Sequence, residues 1–325
     1  LKSMRIAVMA AGAVGGYFGA RLAAAGHDVI FFARGRHLNA IRANGLKIES
    51  PLGNLHLRNV SVTDDPTGTA PVDIVLFAVK LWDTEQAAEQ LRPLVQRHTR
   101  VITLQNGVDS VERLSLILGE EAVVGGSTYL VTVIAEPGLI RHTSAFARIR
   151  CGRLDGRPDH TLTTYVNELR SSGLDITLSE DMRTEIWQKF VLLSGTSGIT
   201  ASTRQPLGPI RTDPDMRALF FRLMAETRAV AEAAGVRFPP DFSADLLRTV
   251  EAFPPTMRAS MAHDLERGNR LELDWLAGKV VTLGRKYGVP TPANDAVYAI
   301  LKPYRMGSGS GGSHPAHAAN TRIEA

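Results

Sequence analysis

The residues best equipped for chemistry fall into two groups. The first is Ala10-Ala11-Gly12-Ala13-Val14-Gly15, a turn of small residues near the N-terminus. Small residues leave backbone N–H groups uncovered. Where such a turn opens a helix, the helix dipole adds partial positive charge, and an anion binds. The spacing is that of the phosphate-binding turn G-x-G-x-x-G, with Ala10 in the first glycine's place. Alanine fits that place if its φ is negative. Arg34 follows about 20 residues on, where an acidic residue takes the 2′-hydroxyl of NAD and an arginine suits the 2′-phosphate of NADP. No Asp or Glu lies between Asp28 and Glu49, while Arg34, Arg36 and His37 cluster, so NADP is expected over NAD. The second group is Lys189 in Trp187-Gln-Lys-Phe190, then Ser260 and, twelve residues later, Glu272. A nicotinamide enzyme that reduces a carbonyl needs a proton donor for the new alkoxide and polar groups for the rest of the substrate. An amine, a hydroxyl and a carboxylate are candidates for those tasks.

The elements around them read as follows. Ile6–Met9 is a short buried strand, the helix after the turn carries Phe18, Leu22 and Ala25 and stops at Gly26, and Val29–Phe32 is a second strand. The apolar run Asp73–Val79 ends at Lys80, and Val101–Leu104 ends at Gln105-Asn106-Gly107. Ligands of open α/β sheets lie beyond the carboxyl ends of the strands, so Gly12, Lys80 and Asn106 are expected on one rim. Val123–Val133, Pro137-Gly138 and Leu139–His142 read as a hairpin at the far edge of the sheet. A lone loop histidine such as His142 is read as structural. From Glu180 the pattern is helical only, with a stripe at Leu273, Leu276, Val280, Leu283 and Tyr287 that suits a core or a homodimer contact. The fold class is α/β: an N-terminal Rossmann-type dinucleotide-binding domain over residues 4–179, then an all-helical substrate and dimerisation domain over 180–305. A Gly/Ser-rich tail, 306–325, is expected to be disordered. Leu1–Ser3, ahead of Met4, read as added residues.

Composition narrows the classes. The 325 residues are 44% hydrophobic, ample for two cores. The 37 basic residues exceed the 33 acidic ones by only four and are scattered, which argues for mild steering of anionic ligands and against a nucleic-acid surface. Cys151 is the single cysteine, so no intramolecular disulfide can form, as suits the cytoplasm, and its plainest role is a small buried hydrophobe. No apolar run reaches the roughly 18 residues that would span a bilayer. No cluster of ligands suggests a metal.

In this order and spacing, the glycine turn, Ala78-Val-Lys80, Gln105-Asn-Gly107, Pro137-Gly138 with His142, Trp187-x-Lys189 and Ser260…Glu272 with Asp274 resemble the ketopantoate reductase (2-dehydropantoate 2-reductase) family from Met4 to about Tyr304. The resemblance implies NADPH-dependent reduction of a 2-oxo acid. It makes Lys189 the general acid and lets Asn106 contact both cofactor and substrate carbonyl. It gives Ser260 the substrate carboxylate, and it has Glu272 orient the substrate side or the lysine and touch the nicotinamide ribose. Lys80 and Ala10, Ala11, Gly12, Ala13, Val14 and Gly15 would hold the cofactor, with Arg34 on its 2′-phosphate. Family members acting on ketopantoate carry asparagines where this chain has Leu193, Ser197 and Met257. Leu and Met cannot hydrogen-bond a substrate hydroxyl, so a more apolar analogue is the expectation beside ketopantoate itself. Two other readings stay open: a dinucleotide-binding sensor or interaction protein without turnover, and an NAD-linked opine or hydroxyacid dehydrogenase.

Overall fold

The computed structural model describes residues 3–308. The chain begins β1 (Arg5–Met9), α1 (Ala13–Ala24), β2 (Asp28–Phe32), α2 (Gly35–Asn44), β3 (Leu46–Glu49), β4 (Leu55–Leu57), β5 (Ser61–Thr63) and β6 (Ile74–Phe77). It continues with α3 (Thr84–Leu91), β7 (Arg100–Thr103), α4 (Ser110–Leu118), β8 (Val123–Tyr129), β9 (Thr132–Glu136), β10 (Leu139–His142), β11 (Arg148–Gly152), α5 (His160–Ser171) and β12 (Asp175–Leu178). Helices follow: α6 (Met182–Thr203), α7 (Leu207–Thr212), α8 (Pro214–Ala233), α9 (Phe242–Ala252), α10 (Ser260–Glu266), α11 (Ala277–Tyr287) and α12 (Pro292–Leu301). Strands thus end at Leu178 and the helical run opens at Met182. The compact units divide elsewhere. One comprises the residues up to Leu192 with Thr227–Leu246; the other comprises Leu193–Glu226 and the described residues from Leu247. Lys189 therefore belongs to the strand-bearing unit, although the sequence pattern assigns it to the helical half.

In the first unit eight strands lie in the order β12-β11-β8-β7-β6-β1-β2-β5. The run from β5 to β8 is parallel, and β11 is antiparallel to β8. Alternation along a strand sends successive side chains to opposite faces. Ile6 and Val8 pack with Phe18 and Leu22 of α1 and with Leu162 and Val166 of α5. Ala7 and Met9 pack on the other face with Ala87 and Leu91 of α3 and Leu114 of α4. Burying each large side chain contributes about 1.5–3 kcal/mol, which is why the central strands read as unbroken apolar runs. β1 pairs with β2 on one side and β6 on the other, so the chain order switches direction at β1. That switch opens a crevice at the carboxyl ends of the strands.

The hairpin expected at the far edge of this sheet is not there. β9 and β10 join β3 and β4 in a separate sheet, in the order β4-β3-β10-β9, with β10 parallel to β3. Long-range pairing across some ninety residues decided this, and local alternation carries no record of it: Ile140 faces Ile48. Helix α1 touches both sheets. Its opening turn is glycine-rich for that reason. A Cβ on Gly15 would meet the Ala10 carbonyl oxygen at 2.4 Å, and one on Gly16 would meet Cδ1 of Ile140 at 2.4 Å.

In the second unit, α8 and α12 are joined through Glu226. Its carboxylate accepts the N–H groups of Ala293 (2.8 Å) and Asn294 (3.0 Å), capping the first turn of α12. The stripe from Leu273 to Tyr287 is not one helix: Leu273–Trp275 form a 3-10 turn, and α11 starts only at Ala277. Leu273, Leu276 and Val280 are buried, so most of the stripe is core. The tail expected to be disordered from residue 306 begins with placed residues: Gly307 N–H donates to Tyr304 and Ser308 N–H to Gly268. The rest of that tail lies outside the described residues.

Candidate functional site

β1 delivers the chain to the glycine turn at the switch point. Ala10 takes φ +71°, so the condition under which an alanine would fit this place without strain is not met. An L-residue pays about 1–2 kcal/mol for that left-handed conformation. The next residue, Ala11, is held on both sides: its N–H donates to Phe32 O at 2.7 Å, and its carbonyl accepts from His37 Nε2 at 2.9 Å. Gly12 then starts α1 from an extended conformation, and no side chain caps the helix. No acidic residue stands in its first turn, and a Cβ on Gly12 would meet open space. Uncapped N–H donors, open space before them and a tight Gly15 behind them fit the pyrophosphate of a dinucleotide.

Further strand ends complete the rim. Arg34, two residues beyond β2, is exposed at the start of α2, with Nη2 3.4 Å from Gln90 Oε1. Lys80, beyond β6, is exposed, and its amine lies 5.7 Å from the Trp82 ring centre. Asn106, beyond β7, is half-buried, and Gly107 turns the chain at φ +92°. The neighbouring Gln105 is buried and binds the strand ends together: its amide donates to Val79 O at 3.1 Å and to Thr84 Oγ1 at 2.8 Å. The spacing of motifs names Gln105 but not this clamp, which spans two loops. β8, parallel to β7, ends at Tyr129. The Lys189 ammonium sits 5.8 Å from the centre of the Tyr129 ring. Lys189 is half-buried as a residue, and desolvation of its ammonium pushes it down to about 8. The first unit thus gathers the glycine turn, Arg34, Lys80 and Asn106 along one rim, with Lys189 at the same end of β8.

Ser260 and Glu272 are carried by the second unit. Ser260 is exposed and is the first residue of α10. The preceding Ala259 N–H donates to Thr200 Oγ1 of α6 at 3.3 Å, which fixes the start of α10. Glu272 is buried, and its carbonyl accepts the N–H groups of Trp275 and Leu276. Leu193 and Met257 are half-buried. Ser197 is wholly buried, and its hydroxyl finds no hydrogen-bond partner among the described residues. His142 is structural: it is buried beneath Tyr17 and bonded to Ser50 and Ser144. Among the described residues no group of three or more His, Cys, Asp or Glu could hold a metal, and no helix is long and apolar enough to cross a membrane.

Residues 6–156 match the sequence model described as Ketopantoate reductase PanE/ApbA, and residues 181–305 match its C-terminal counterpart. A 2-dehydropantoate 2-reductase of Mesorhizobium japonicum is 33% identical, with 92% of this chain and 97% of that one aligned. The crystal structure of a PanE/ApbA family ketopantoate reductase from Ralstonia eutropha is 33% identical and superposes with a TM-score of 0.86, over 93% of this chain and 98% of that one. A D-mandelate dehydrogenase bound to NADH and anilino(oxo)acetate shares the fold, with a TM-score of 0.85 at 20% identity and coverage of 93% and 98%.

Proposed function

Because this chain belongs to the ketopantoate reductase family, and is with it an oxidoreductase acting on CH–OH groups with a nicotinamide dinucleotide, we propose that it uses NADPH to reduce a 2-oxo acid with Lys189 as general acid. The observation that carries this reading is the Lys189 ammonium at the rim end of β8, lowered to about 8 by burial. A donor with that value is charged at neutral pH, yet gives its proton up more readily than a free lysine. The bound dinucleotide supplies the hydride. The chain does the rest. The uncapped start of α1 holds the pyrophosphate, and Arg34 pairs with the 2′-phosphate. Lys80 and Asn106 hold the cofactor further along the rim, and Asn106 also meets the substrate carbonyl. Ser260 takes the substrate carboxylate, and Glu272 the substrate side and the ribose. Lys189 protonates the alkoxide oxygen as it forms.

The substrate is ketopantoate or an analogue with an apolar side chain. Leu193 and Met257 offer no hydrogen bond to a substrate hydroxyl. NADPH oxidation against ketopantoate and against 2-oxo acids with branched apolar side chains tests both parts. Lys189→Ala is expected to lower kcat by roughly 10²–10⁴ on every substrate turned over. Equal rates for wild type and Lys189→Ala would remove the lysine from the chemistry. A strong preference for ketopantoate would remove the apolar analogue.

A further inference from the structure

His37 sits among the basic residues after β2, yet it points away from that role. Its Nε2 donates to the Ala11 carbonyl at 2.9 Å, and its Nδ1 accepts the Gly138 N–H at 3.1 Å. The two partners fix the tautomer, since a carbonyl can only accept and an amide N–H can only donate. Burial lowers the ring below the usual histidine range, against the opposite pull of the Ala11 carbonyl, so the neutral form that both bonds require is favoured. Gly138 is the tip of the β9–β10 turn, and its own carbonyl accepts from Lys47 of β3. The ring therefore ties the second sheet to the residue that follows Ala10. Ala10 is one of two non-glycine residues with positive φ among the described residues. Nothing in its own side chain favours that conformation.

We propose that His37 is a positioning residue for the dinucleotide: by holding the Ala11 carbonyl it keeps Ala10 left-handed and the N–H groups of the glycine turn aimed outward, the task glycine performs at that place by itself. This rests on the glycine turn being the dinucleotide site. NADPH binding is measured by titration calorimetry for wild type, His37→Asn, His37→Gln, Ala10→Gly and the Ala10→Gly/His37→Asn pair, with thermal unfolding to confirm that each folds. Asparagine can accept from Gly138 but is too short for Ala11, whereas glutamine reaches Ala11. His37→Asn is expected to raise the NADPH Kd about tenfold and His37→Gln by no more than about threefold. With Ala10→Gly in place the turn needs no clamp, so adding His37→Asn should raise Kd by no more than about threefold. Tenfold weakening on both backgrounds overturns the coupling to Ala10, and undiminished binding by His37→Asn overturns the role outright. If wild type binds neither NADPH nor NADH, the dinucleotide reading fails and takes this inference with it.

Discussion

In the proposed reaction two side chains work in different ways. Lys189 would act through its proton. Its ammonium is pushed down to about 8, and a general acid works only while protonated. Reduction is therefore expected to hold steady below that pH and to fall as pH rises through about 8. The alkaline limb of kcat against pH checks this, and Lys189→Ala should abolish the limb along with most of the rate. Arg34, on an exposed loop, is proposed to act through its fixed charge. Arg34→Asp is expected to raise the NADPH KM by about 10–100-fold, the size of a lost charge-assisted hydrogen bond, and to leave the NADH KM almost unchanged. Equal effects on both cofactors would place Arg34 away from the 2′-phosphate. Arginine type and place suggest this role; His37, three residues on, belongs to the same basic cluster but is bonded to the Ala11 carbonyl and the Gly138 N–H.

Elements are tied by buried polar groups whose partners lie far apart in the chain. Asp159 caps α5 through the Leu162 N–H at 2.9 Å and receives Arg100 at 2.7 Å and Arg153 at 2.7 Å. Arg153 also donates to the carbonyls of Glu120, Glu121 and Val123, binding the approach to β8. Burial pushes the Asp159 carboxyl up, but the Arg100 hydrogen bond, the Leu162 N–H, the charge of Arg100 and Arg153 outweigh it and hold it at about 2. Asp159→Asn leaves the buried Arg100 guanidinium without its counter-charge and Arg153 with only the exposed Glu121 at 3.5 Å, and a loss of about 3–5 kcal/mol is expected in denaturant unfolding. Because the folded value is depressed, this carboxylate stabilises above its unfolded value of about 3.9. Its contribution fades as pH falls from there through about 2. At Asp159→Asn that acid-sensitive part of the stability should be missing. The helix start after Asp159 is visible locally; its two arginines are not.

At the scale of the molecule, burial decides what the single cysteine can do. Cys151 lies in β11 inside the core shared with α1 and α5, and burial first, then the Glu185 charge, push its thiol up to about 12. The native protein is expected to leave a thiol reagent such as dithiobis(nitrobenzoate) unreduced for hours at pH 8 and to react at once in denaturant. Rapid reaction of the native chain would show that this core opens. The same scale separates the expected domain boundary from the compact units. Residue patterns change at Glu180 because strands stop there, whereas the units divide inside α6, α8 and α9, where the helical pattern does not change.

The strand–turn–helix opening, the apolar runs of the central strands and the places of Lys80 and Asn106 just beyond strand ends were legible in the chain by itself, because they depend on periodicity and on neighbours within a turn or two; that Lys189 packs with the strand-bearing unit was not. The left-handed Ala10, the second sheet that takes β9 and β10, and the bonds of His37 and Gln105 were settled only in three dimensions. Each arises from a contact between segments distant in sequence. A residue's type states what bonds it can make, and only the folded chain determines which partner is there to receive them.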